Sequence, residues 1–512
     1  MKPCLLVHDV GTSGDKASVY DADGGLRGTA TASYATTYPA QSYCEQDAED
    51  WWQAVVASTR IAIEQADVKV SDIEAVTFSG QMMGCVAVDN GGHALRPAII
   101  WADTRAEEQA RQLADALGPE RVYRICGHRP SPSYSAAKIA WIRDNEPEVY
   151  ARSAAFLQAK DFIIRRATGR CVTDPSDASG TNLYDLERGS WSTELVEAAG
   201  IDMGRLPEVV PSTSVVGTLG RAAASQLGLV PGTPLVAGGA DGSCAAVGAG
   251  VVEANDAYVC LGSSSWVGVC ATSPVFDPEM RTFTWAHLVE GGYLPTGTMQ
   301  SAGLSYQWVS SLFESCQNAT AKELEDAAAV VGPGAEGLLF LPYLLGERSP
   351  HWNPHARGAF VGLTMAHTRS HLVRAVLEGT AMNLRIILDC FRRLGIAPDS
   401  LWAVGGGASS SLYLSMLASV FDLPISVPPD VNCATGLGAA IAAGIGIGLF
   451  DSWAKAKEIR NAHDTYAPET AAVDAYRVLQ PVFESAYRNL EAINEALVVF
   501  AAEGRDAGVD QP

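Results

Sequence analysis

Leu6-Val7-His8-Asp9-Val10-Gly11-Thr12-Ser13-Gly14 runs into Lys16-Ala17-Ser18-Val19-Tyr20 near the start of the chain. β-Branched and apolar residues flank a turn of small ones, so the stretch reads as strand, tight turn and second strand. The same device is written again further on. Tyr258-Val259-Cys260-Leu261 leads into Gly262-Ser263-Ser264-Ser265 and then Trp266-Val267-Gly268-Val269. Glycine beside serine or threonine leaves backbone N–H groups and hydroxyls unobstructed, a surface that suits phosphate oxygens. One such turn is an ordinary hairpin. Two copies imply a duplicated architecture that grips a polyphosphate between two halves.

The intervening chain alternates strands and helices. Glu74–Gly80, Ala98–Trp101, Pro234–Gly239 and Leu401–Val404 read as apolar strands, most of them closing in glycines. Ala106–Leu117, Ala136–Asp144, Ser370–Arg393 and Leu412–Val420 read as helices. This alternation predicts an α/β architecture. At 512 residues the chain exceeds one core and fits two domains. Val247-Gly248-Ala249-Gly250 offers flexible backbone for a boundary and for closure. The expected division is residues 1–250, 251–455 and a helical extension with tail over 456–512. The tail reads helical from about Asp451 to Asn494, and Glu503 to Pro512 is expected to fray.

The balance of 36 Lys plus Arg against 58 Asp plus Glu gives a net charge of −22, with no basic block to offset it. That argues against a nucleic-acid or anionic-membrane partner. The longest apolar run, Gly436 to Phe450, is fifteen residues and reads as a buried helix rather than a membrane span. Met1-Lys2-Pro3-Cys4 leads straight into a strand, and the eleven cysteines form no Cys-x-x-Cys pair. The expectation is a reduced, cytoplasmic protein. Nothing in this reading excludes a homodimer.

Asp241, in Ala237-Gly238-Gly239-Ala240-Asp241-Gly242-Ser243, is the strongest candidate for chemistry. Small residues around a carboxylate at a strand end let a substrate approach. Phosphoryl transfer asks for positioning, charge neutralisation and a carboxylate to accept a hydroxyl proton. The plain alternative is an aspartate that caps the following helix. Asp9 ends its strand before the glycine turn, where it suits a magnesium ion that keeps most of its waters. Lys16 either meets a phosphate or faces solvent. Gly405-Gly406-Gly407-Ala408-Ser409-Ser410 lets an adenine or phosphate lie against backbone. There is no Gly-x-Gly-x-x-Gly or Walker pattern, which excludes a Rossmann dehydrogenase and a P-loop enzyme. His351 and His355 are four apart, but Pro350 and Pro354 forbid the helix that a zinc pair at that spacing needs. Trp51-Trp52 reads as inward packing at a helix start.

Several motifs, in order, resemble the FGGY carbohydrate kinase family and its xylulokinase-type branch. Ser133-x-Ser135-x-x-Lys138-Ile139-x-Trp141-Ile142-x-Asp144-Asn145 fits one family signature. Gly358-x-Phe360-x-Gly362-Leu363 followed by His371-Leu372-x-x-Ala375-Val376-Leu377-Glu378 fits the other. Gly346–Pro350, Ala356–Gly358 and Glu45–Trp52 are also family-like. The resemblance implies a two-domain actin-like ATPase fold, with a cleft between domains that closes on substrates. It implies ATP and Mg²⁺, with Asp241 as general base, Asp9 as the magnesium-side carboxylate and Asp241 beside the metal. Gly11, Thr12 and Ser13 with Lys16, and Gly262, Ser263 and Ser264, would meet phosphates; Gly406, Gly407 and Ala408 would meet adenosine. Gln81, Met82, Met83, Trp101 and Asp103 would hold the sugar. The expected reaction is phosphorylation of a terminal hydroxyl of a ketose, D-xylulose to D-xylulose 5-phosphate. The alternatives are ribulose, erythritol or glycerol as acceptor, or an inert sugar- or nucleotide-binding relative. The branch's usual Gln-Met-His-Gly appears here as Gln81-Met82-Met83-Gly84 and its Trp-Asn-Asp as Trp101-Ala102-Asp103; both changes bear on the sugar. The second phosphate device ends Ser264-Ser265 where Ser-Gly is common.

Overall fold

A computed structural model describes residues 3–317, 320–460 and 464–506. The chain forms two compact units, each drawing on several stretches. The first holds Met1–Ala254, Cys270–Pro295 and Cys433–Asn461; the second holds Asn255–Val269, Thr296–Asn432 and Ala462–Pro512.

The first device becomes the antiparallel pair β1 (Cys4–Val10) and β2 (Gly14–Asp21), extended by β3 (Leu26–Ser33). β4 (Ile73–Gly80) lies parallel to β1, and β6 (Pro234–Ala240) parallel to β4; β5 (Val215–Thr218) closes the edge antiparallel. Both sheet faces are covered, which is why β1 is apolar on alternate and intervening positions alike. Leu6 and Val10 pack with Trp51, Trp52 and Phe162, whereas Leu5 and Val7 pack with the helix Ala434–Gly446.

In the second unit, β7 (Ala257–Leu261) and β8 (Ser265–Val269) form the second hairpin, and β9 (Tyr293–Met299) pairs with β8 through Ser265–Gly268. β10 (Leu401–Val404) and β11 (Ile425–Val427) follow in parallel, and β12 (Asp464–Tyr466) closes antiparallel. Strand order β9-β8-β7-β10-β11-β12 repeats β3-β2-β1-β4-β6-β5. The duplication read from two short turns is thus a duplication of whole sheets.

Three local expectations change. Gly248 is closely packed rather than open: it ends the helix Asp241–Gly248, and a Cβ there would lie 1.8 Å from Ala434 O. Gly438 repeats the arrangement against Cys244 O, so these glycines serve close helix packing. The segment after Asp451 is not one helix, because β12 interrupts it before the helix Thr470–Asp506. That helix continues past Glu503 to Asp506; the rest of the predicted fraying tail, 507–512, lies outside the described residues. Among the described residues no helix is long and apolar enough to cross a membrane.

Candidate active site

In the first unit, the carboxyl ends of the parallel strands gather the candidate residues, the usual ligand edge of such sheets. The period of two places Asp9 on the Leu5–Val7 face of β1. β6 bulges at Gly238 (φ +68°), where a Cβ would strike Phe78 O, and this delivers Asp241 as the first residue of α1 (Asp241–Gly248). Asp241 accepts from Gly242 N at 2.7 Å. Burial pushes its carboxyl up to about 6. Asp9 is pushed to about 7, first by burial, then by the charges of Asp241 and Asp15, against the lowering effect of Lys16 and Ser79. Lys16 faces Asp9 across the β1–β2 ladder. Asp9 Oδ1 is buried without a hydrogen-bond partner.

The turn is drawn shut by Gly11 N donating to Gly14 O at 3.0 Å, while Thr12 and Ser13 stand exposed. Gly14 admits no side chain, since a Cβ would lie 2.7 Å from Ala32 O. Side chains brace the turn from outside. Tyr34 Oη donates to Gly11 O, Gln46 Nε2 to Thr12 O at 2.6 Å, and Trp101 Nε1 to Thr12 Oγ1 at 2.9 Å.

Gln81 Nε2 donates to Gly11 O and Gln46 Oε1, which leaves its buried Oε1 without a partner. Met82 is buried and Met83 partly exposed, both against Gly180. Asp103 is fully buried: its carboxylate takes Arg105 in a bidentate pair and accepts from Cys44 N, so no oxygen faces solvent. Trp51 and Trp52 are buried, as their inward reading required.

In the second unit, Gly262 N donates to Ser264 O, and Ser263 O accepts from Ala302 N and Leu304 N. The glycine triplet packs on the end of β7: Gly405 (φ +86°) would place a Cβ 2.8 Å from Leu261 O, and Gly407 one 2.9 Å from Leu261 Cβ. Gly406 is exposed, with nothing within 4 Å of where its Cβ would be. Ala408 is buried, and Ser410 caps the next helix, Ser411–Phe421.

Three further residues have no role assigned from the sequence. Gln46 joins the glycine turn to Gln81 and Trp51. Lys138 donates to Met83 O, and Gln158 accepts from Met83 N. A lysine inside the apolar run Ala136–Ile142 was a legible signal; Gln158 lies in no motif.

A model of the N-terminal domain of the FGGY family of carbohydrate kinases matches residues 4–248, and one of the C-terminal domain matches residues 257–447. The xylulose kinase of Lactococcus lactis subsp. lactis is 33% identical over 504 residues, 98% of this chain and 99% of its own. The gluconokinase of Bacillus licheniformis is 30% identical over 500 residues, 96% of this chain and 97% of its own. The solved ligand-bound xylulose kinase from Lactobacillus acidophilus superposes with a TM-score of 0.91 at 26% identity, covering 97% of this chain and all of that one.

Proposed function

Because the chain belongs to the FGGY family of carbohydrate kinases and is itself a carbohydrate kinase, we propose that it transfers the terminal phosphoryl group of ATP to a terminal hydroxyl of a ketose, with D-xylulose as the acceptor. The observation that carries this reading is the carboxylate pair. Asp241 sits at a strand end with its pKa raised to about 6, which suits a base near neutral pH. It takes the hydroxyl proton as the acceptor oxygen bonds to phosphorus and ADP departs with the bridging oxygen. The amides and hydroxyls of Gly11–Ser13 and Gly262–Ser264 bind phosphate oxygens, and Gly406–Ala408 offers backbone to the adenosine.

A magnesium ion fits the first unit. The buried Asp9 Oδ1, which has no hydrogen-bond partner, would supply a ligand, and a cation there would offset the Asp241 charge that adds to burial in raising the Asp9 carboxyl. Among the described residues no cluster of three ligating side chains forms, but magnesium needs only one or two carboxylates, with waters and phosphates. When bound, the ion neutralises phosphate charge. Lys16, opposite Asp9, adds a positive charge near the same turn.

The acceptor reading rests on the neutrality of the sugar candidates. Gln81, Met82, Met83 and Trp101 carry no charge, and the carboxylate of the fifth candidate, Asp103, is spent on Arg105. The nearby cations are engaged elsewhere: Arg105 pairs with Asp103 and Glu45, and Lys138 bonds carbonyls. A sugar acid such as gluconate would ask for a free cation here; a neutral ketose does not. Dependence on ATP also favours a cytoplasmic setting. An ADP-release assay over pentuloses, hexuloses, gluconate and polyols tests the proposal. D-Xylulose should give the highest kcat/KM, and a higher value for gluconate or a polyol would overturn this assignment.

A further inference from the structure

Met83 adopts a left-handed backbone, φ +64°, which a side chain beyond glycine rarely takes without support. Three polar backbone groups here, Met83 N, Met83 O and Gly84 O, are held by side chains. Met83 N donates to Gln158 Oε1 at 2.5 Å. Lys138 Nζ donates to Met83 O at 2.8 Å and also to Ser133 O. Ser135 Oγ donates to Gly84 O at 2.7 Å. Gln158 is tied in turn, its Nε2 donating to Asp177 O at 2.6 Å. Ser135 and Lys138 lie on one helix, Ser135–Asn145, while Gln158 precedes another, Ala159–Thr168. Met83 and Gly84 are thus gripped from two sides.

Lys138 is fully buried, yet its hydrogen bonds go to carbonyls rather than to a carboxylate. Burial pushes its ammonium down to about 7, so keeping it there is costly. A lysine serving packing alone is more cheaply replaced by an apolar residue. What Lys138 provides is a fixed Met83 carbonyl, and with it a fixed left-handed turn. Met82 and Met83 are brought together by that turn: a Cβ at Gly180 would lie 3.0 Å from Met82 Cε and 3.6 Å from Met83 Cγ.

We infer that Lys138 is a positioning residue for the acceptor sugar, which acts by clamping the Met83–Gly84 backbone in its left-handed form. This rests on the reading that Met83 borders the acceptor. Lys138 touches neither sugar nor nucleotide in this role, so its loss should be felt in acceptor binding and not in ATP binding.

The test uses Lys138→Met in the full chain, which keeps the length of the side chain and removes its donors. With any acceptor the wild type phosphorylates, the acceptor KM should rise about tenfold or more, while kcat and the KM for ATP stay within about threefold. Glycine adopts positive φ without a clamp. In the Met83→Gly background, Lys138→Met should therefore raise the acceptor KM by less than about threefold. If Lys138→Met fails to fold, Gln158→Leu removes the opposite grip and should give the same selective rise in acceptor KM. An unchanged acceptor KM, an equal rise in the KM for ATP, or the same penalty in both backgrounds would overturn the inference. A higher kcat/KM with an acceptor other than D-xylulose would overturn the acceptor assignment alone, because the clamp is then read with that acceptor.

Discussion

Asp241 lies close enough to Asp9 that its charge, second only to burial, lifts the Asp9 carboxyl to about 7. A buried carboxylate raised further by a neighbouring carboxylate's charge favours a proton or a cation beside it. In the proposed reaction Asp241 serves as the base and Asp9 as the carboxylate on the metal side.

Asp241→Asn should leave the melting temperature and nucleotide affinity near wild type while lowering turnover by about 10²–10⁴. Steady-state kinetics beside calorimetric ATP titration checks this. Turnover near wild type would remove Asp241 from the chemistry.

The pH profile should carry the same signature. A base must be ionised, so kcat/KM for the acceptor should fall as pH drops through about 6, the value to which burial brings Asp241. The acidic limb belongs to the pair rather than to one residue alone. It should disappear from the residual activity of Asp241→Asn.

Stability should run the other way. A carboxyl whose folded pKa lies above its unfolded value of about 3.9 keeps a proton that the unfolded chain has lost. This group's contribution to stability therefore falls as pH rises from about 4 to about 7. Without magnesium, Asp9→Asn should melt higher than wild type at pH 8, and the gap should close toward pH 4. Added Mg²⁺ should raise the melting temperature of wild type more than that of the variant. Thermal melts across pH, with and without the ion, decide it.

The glycine triplet separates two effects. Gly406 faces open space, so Gly406→Val should fold normally and weaken ATP binding by occupying the nucleotide's place. Gly407→Val presses instead on Leu261 and should lower the melting temperature as well. Equal ATP affinity in wild type and Gly406→Val would remove the triplet from the nucleotide site.

Met83→His tests the acceptor. Histidine tolerates the left-handed region better than most residues, so the φ of +64° is no obstacle. An added hydrogen bond worth roughly 0.5–1.5 kcal/mol should sharpen preference for D-xylulose a few-fold to about tenfold. Competition assays between D-xylulose and other acceptors measure it, and an unchanged preference would separate Met83 from acceptor choice.

Much of this was local, and local rules are legible in a linear text. Apolar β-branched runs closing in small residues mark strand ends, so both hairpins were readable, and β10 spans the predicted Leu401–Val404. Asp9 and Asp241 were legible for the same reason, because a carboxylate following an apolar strand needs no distant partner to be noticed. What a side chain does with a distant partner is not written in its neighbours. Asp103, expected at the sugar, accepts from the backbone of Cys44, 59 positions away, while Arg105 beside it in sequence pairs with its carboxylate. Gly248, expected to flex, lies against Ala434, 186 positions away in the chain (434 minus 248), because two helices pack backbone to backbone. Lys138 reaches the carbonyl of Met83 across 55 positions. The sequence by itself determined the two hairpins and the strand ends that carry Asp9 and Asp241, since propensity and periodicity act over a few residues. Only the tertiary structure decided which polar groups spend their hydrogen bonds on each other, since a buried donor bonds whatever acceptor the packed fold brings within about 3 Å.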